Sequence, residues 1–189
     1  MPLTTVSSLR VVNDPIEADR LIDVALNQVE AVAERLFSGR NFTIRDLLPL
    51  DAPSSPTANE WTQSSGTDNT WAATTLWDGT AIADDTVLMI YGLSIPLATT
   101  TAAPAATALR FTVGASLRAQ VDLYKILHFD LGTESTITGN DGTGYLMSPI
   151  IVTSQQTVKV EQRVVTGSAT NQIIFHGFVA EIQGKTIEA

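Results

Sequence analysis

The chain has 189 residues, 44% of them hydrophobic and 16% charged, with a net charge of −9. That length suits one domain with a real core, and the apolar fraction excludes a disordered chain. The acidic balance, with no cluster of Lys and Arg, excludes nucleic acid as a direct partner, and the absence of cysteine excludes disulfides, thiolate nucleophiles and Cys-based metal sites.

With so few charges, much of the surface has to be Thr, Ser, Gln and backbone. Such a surface is expected where neighbouring subunits cover it, because every charge buried at a contact needs a partner. An ordinary secreted β-domain is the plain alternative. Acidic residues outnumber basic ones 20 to 11, a balance compatible with a high-salt host. No apolar run approaches the roughly 18 residues of a membrane span. The start MPLTTVSSLRVV lacks the charged and then apolar pattern of an export signal.

Residues 1–13 read as an extended arm that lies on another surface. Asp14-Pro15-Ile16-Glu17 then marks a helix start, with Asp14 as N-cap, Pro15 at the first helical position and Glu17 closing a box-like cap. Over residues 14–38 the apolar positions Ala18, Ile22, Ala25, Val29, Val32 and Leu36 form one stripe, ended by Ser38-Gly39. The stripe either covers a face of the chain's own sandwich or docks on a neighbour. Glu17, Asp19, Asp23, Glu30 and Glu34 against Arg20 and Arg35 would be repelled by an anionic bilayer, so a protein partner is the expected target.

From residue 40 onward the period is two and turn residues dominate. Eight strands are predicted, at 41–48, 70–77, 86–95, 108–114, 117–127, 145–153, 157–165 and 172–183. Pro, Gly, Ser and Asp clusters separate them, including the long 51–69 loop and the Ala/Thr/Pro stretch 98–107. In 157–165, Val158, Val160, Gln162 and Val164 share one face and Lys159, Glu161 and Arg163 the other, whereas the unbroken apolar run 87–91 reads as a strand covered on both sides. Gly177 marks a bulge or a close approach. The expected fold is therefore all-β: an eight-stranded antiparallel jelly-roll sandwich or barrel over 40–189, preceded by the arm and one amphipathic helix.

Catalytic chemistry is hard to assemble from these residues. The two histidines, His128 and His176, lie among apolar neighbours and read as sheet residues, and no Gly-x-Ser-x-Gly turn is present. Asp84-Asp85 and the turn Gly139-Asn140-Asp141-Gly142 are the candidates for a loop Ca²⁺ site, although neither has EF-hand spacing. The expectation is a non-enzyme without a cofactor. A carbohydrate-binding sandwich would need Trp61, Trp71 and Trp77 as a solvent-facing platform, and Trp71 and Trp77, six apart, share a side in a regular strand. For assembly the expected residues are Trp61, an aromatic in a polar loop, and Leu21, Leu26 and Val29, on a helix stripe wider than one sheet requires.

The arm and helix (Val11-Val12-Asn13-Asp14-Pro15-Ile16-Glu17-Ala18-Asp19-Arg20), then a Thr-rich chain ending in Phe175-His176-Gly177-Phe178-Val179-Ala180-Glu181-Ile182-Gln183-Gly184-Lys185, resemble small major capsid proteins. These are the single vertical jelly-roll subunits of icosahedral internal-membrane viruses of haloarchaea and thermophilic bacteria. The resemblance spans the chain in size and architecture and rests on pattern. It implies a halophilic, self-assembling subunit in the virion capsid, partnered by copies of itself, by a larger sister jelly-roll protein, or by both. It also implies a position close to an internal membrane without spanning it. A phage head-decoration or fibre protein is the other assembling class.

Overall fold

The computed structural model describes residues 7–12, 14–64, 69–95, 106–123, 143–164 and 170–183. Along the chain run β1 (Leu9–Val11), α1 (Pro15–Phe37), β2 (Phe42–Asp46), a 3-10 turn (Pro49–Asp51) and β3 (Thr62–Ser64). These are followed by β4 (Trp71–Ala81), β5 (Thr86–Ser94), β6 (Ala106–Val113), β7 (Ser116–Asp122), β8 (Thr143–Thr153), β9 (Thr157–Val164), β10 (Thr170–Gln172) and β11 (Ile174–Ile182).

The helix starts where its sequence says. Asp14 Oδ1 accepts from the Ile16 N–H at 2.9 Å, Pro15 occupies the first turn, and Ser38 and Gly39 leave the helix with φ of 47° and 84°. Glu17 does not close a capping box; it pairs with Arg10 at 3.1 Å, tying the helix to β1.

The strands form two antiparallel sheets, a five-stranded one in the order β1-β8-β5-β11-β2 and a four-stranded one in the order β4-β9-β6-β7, with β10-β3 as a separate ribbon. The two sheets face each other across one apolar core that includes Trp77, Leu88, Ile90, Phe111, Val160, Phe175 and Val179. The outer face of the five-stranded sheet is covered by α1, whose Ala25, Val29, Ala33 and Phe37 pack on Val87, Met89, Phe178 and Ala180. This arrangement explains the unbroken apolar run of β5: Leu88 and Ile90 point to the inter-sheet core, Val87 and Met89 to the helix. The inward ridge of α1 is an i, i+4 row ending at Phe37, which meets Phe42 at 5.7 Å, while Leu36 is left exposed.

Among the described residues both flanks of the sandwich are bridged. On one, Ser7 bridges to Ala119 of β7, its N–H donating to the Arg118 carbonyl at 2.8 Å, and the chain then crosses to pair Leu9–Val11 with Leu146–Gly144 of β8. The described part of the arm therefore belongs to the protein's own sheet, a correction to the reading of it as a segment for another surface. On the other flank the segment after β2 laces onto β4: the Ser54 N–H donates to Leu76 O at 3.3 Å and the Asp78 N–H to Ser54 Oγ at 2.9 Å. Each flank is thus bridged between the two sheets at a point, and β1, β2, β4 and β7 remain the outermost strands of their sheets.

Gly177 is required by close approach. The strand register shifts between His176 and Gly177, and a Cβ at 177 would sit 2.0 Å from the Met89 carbonyl oxygen.

Candidate assembly surfaces

The four residues expected at an interface divide. Val29 is fully buried between α1 and its own sheet, which removes it from any external contact. Leu21 is half-buried and Leu26 is exposed. Trp61 folds back: it is partly buried, stacks on Trp77 at 6.4 Å with planes 11° apart, and tilts against Phe175 at 5.4 Å. Its loop carries a 3-10 turn and β3, so it is a rim that seals the core.

No tryptophan platform forms. Trp77 is wholly buried, and Trp71 lies on the opposite, outer face, with the Arg110 guanidinium 4.8 Å above its ring. Irregularities in the β4–β9 pairing between Ala73 and Asp78 break the strict alternation that would have put both indoles on one side.

That outer face of the four-stranded sheet is polar, as the alternation in β9 predicts. Arg110 Nε and Nη2 donate to Glu161 at 2.6 and 2.9 Å, and Lys159 Nζ lies 3.1 Å from the same carboxylate. The Arg110 hydrogen bonds hold the Glu161 carboxyl below its ordinary range against the opposing effect of burial. Arg163 and Arg118 are exposed on the same face.

A second ionic cluster, which the sequence reading missed, plugs the β2 flank. Arg45 Nη1 and Nη2 donate to Asp51 at 2.7 and 2.6 Å, and its Nε donates to Glu181 at 2.9 Å. The hydrogen bond to Asp51 is the largest of the influences that hold the guanidinium still more firmly charged. Asp51 also accepts from the Leu48 N–H at 2.8 Å. The residues are 136 positions apart at the extremes, and nothing local announces the contact.

His176 sits at the β11 bulge with Nε2 2.8 Å from Ser94 Oγ, beside Tyr91. Burial lowers its pKa, and among the described residues no carboxylate hydrogen-bonds its ring. Tyr91 stacks on Tyr145 at 6.4 Å, and burial pushes its hydroxyl up to about 12. Of the Ca²⁺ candidates, Asp85 is engaged by Arg40 at 2.7 Å, and residues 139–142 lie outside the described residues, as does His128. Among the described residues no three His, Asp or Glu side chains gather as a metal site, and no helix is long and apolar enough to cross a membrane.

Large apolar side chains remain on the outside of α1: Ile16 is 64% exposed, Val24 49%, Leu36 42% and Leu26 37%. Compared with known proteins, the chain matches no family model and no curated sequence.

Proposed function

We propose that the chain is a structural virion protein, a jelly-roll capsid subunit that assembles with itself and with a sister jelly-roll subunit into an icosahedral shell. The strand pairing supports the jelly roll. β2 pairs with β11, β4 with β9, β5 with β8 and β6 with β7. These pairs are nested in sequence, the pattern of one long hairpin rolled up into two facing four-stranded layers, with β1 added beside β8.

The observation that carries the assembly reading is a docked helix that still exposes large aliphatic side chains. The row of Ala25, Val29, Ala33 and Phe37 is consumed by the protein's own sheet, yet Ile16, Val24, Leu26 and Leu36, spread around the same helix, are still exposed. Covering these aliphatic side chains at a second contact would remove apolar area from water. The resemblance to small major capsid proteins adds an internal membrane on the inner side of the shell, approached without being spanned.

The test is light scattering coupled to size-exclusion chromatography of the purified chain, alone and with co-purifying proteins, across salt and Ca²⁺ concentrations. Higher-order or mixed complexes that respond to salt are expected. A strict monomer in every condition would overturn the reading, and a stable trimer that never grows would move it to the decorating class.

A further inference from the structure

The helix that covers the five-stranded sheet and the uncovered outer face of the four-stranded sheet carry different charge patterns. On α1 five carboxylates stand against two arginines. At 3.6 residues per turn, Asp19, Asp23, Glu30 and Glu34 fall on one narrow stripe along the flank of the helix, next to the row that packs on the sheet; the stripe also contains Ile16, with Leu26 beside it. None of the four carboxylates has an ion pair among the described residues. The outer face of the β4-β9-β6-β7 sheet presents Arg110, Lys159, Arg118 and Arg163 against Glu161 and Asp122. Arg110 and Lys159 are spoken for by Glu161, whereas Arg118 and Arg163 have no ion pair among the described residues; Asp78, at the edge of this sheet, is turned to Ser54.

Resting on the assembly reading, we infer that the occupant of the open sheet face is the helix of a second copy: the α1 acid stripe of one molecule docks on the Arg118/Arg163 face of the next. Charge complementarity orients the encounter, and Leu26 and Ile16 on one side with Trp71 and Leu117 on the other supply apolar contact. Because the two patches are different, the contact is head to tail, the type that builds rings or extended arrays and not closed two-fold dimers.

The experiment uses three full-length proteins at about 0.1 M salt, where the screening length is about 10 Å. They are the wild type, a sheet-face variant (Arg118→Glu with Arg163→Glu) and a helix variant (Asp23→Lys, Glu30→Lys and Glu34→Lys), each checked by circular dichroism. All of these side chains are exposed. Each variant alone is expected to lose at least about tenfold in self-association, measured by sedimentation velocity. Mixing the two restores it, since every sheet face then meets a helix of opposite sign. Variants that assemble like wild type, or a mixture that stays unassembled, overturn this contact while leaving wild-type assembly standing. A wild type that is monomeric throughout overturns both.

Discussion

Trp61 stacks on Trp77 with ring centroids 6.4 Å apart and planes 11° from parallel, so an aromatic from the rim loop closes the core over a wholly buried indole. The consequence is that Trp61→Ala acts on stability. Removing the ring exposes Trp77 and Phe175 at the mouth of the sandwich, and a loss of about 2–4 kcal/mol is expected from lost burial and the gap left behind. Urea unfolding followed by tryptophan fluorescence checks this; a midpoint unchanged from wild type would place Trp61 outside the core.

Gly177→Ala is expected to be among the most damaging single changes. The added methyl meets a backbone carbonyl, Met89 O, and the Leu47 side chain at 2.9 Å, and a central strand cannot move away from its neighbour without breaking its ladder. The cost is about 3 kcal/mol or more. Thermal unfolding measures it, and a melting temperature within a degree of wild type would show that the bulge relaxes freely.

How much of this was legible in the sequence depends on the range of the interaction. The helix start at Asp14-Pro15 and its stop at Ser38-Gly39 are local chemistry and stand as read, as does the two-sided burial of β5. The inward ridge was misread at its end because Ala33 is a weak apolar signal beside Leu36, yet it is Ala33 and Phe37 that face the sheet. β1, β3 and β10 are three residues each, and their pairing is with distant segments, so periodicity is silent about them. Trp71 and Trp77 were placed on one side by strict alternation, which the β4 irregularities cancel. Of the expected assembly residues only Leu21 and Leu26 keep exposed or half-exposed positions on α1, because a stripe read from sequence does not say which part its own sheet will use.

Arg45 bridges two carboxylates through separate edges of one guanidinium, with Asp51 on the rim and Glu181 on β11. Arg45→Ala leaves two mostly buried carboxylates facing each other without a cation, and a loss of about 3–5 kcal/mol is expected at neutral pH. Arg45→Lys should recover less than half of it, since a point charge cannot satisfy both partners in fork geometry. Chemical denaturation of both variants gives the comparison. A lysine variant as stable as wild type would mean that charge alone, and not the bidentate fit, holds this flank.

His176 makes stability depend on pH in a window that can be isolated. Burial at the β11 bulge lowers its pKa below the ordinary value of 6.5, partly opposed by the charge of Asp46. The folded state therefore prefers the neutral ring, whose Nε2 is hydrogen-bonded with the Ser94 hydroxyl. Above about pH 7 the ring is neutral in both folded and unfolded chains and contributes no slope. As pH falls through 6.5 the unfolded chain takes up a proton that the folded chain still refuses, so stability declines until the folded-state pKa is passed. The slope from this one group is at most about 1.4 kcal/mol per pH unit. Subtracting the profile of His176→Asn, whose amide can still pair with Ser94, from that of wild type isolates the contribution. The difference should be flat from pH 7 to 8 and fall below pH 6.5; a difference that rises on acidification would mean that the carboxylates around the bulge, Asp46 first, outweigh burial and that the folded chain binds the proton more tightly.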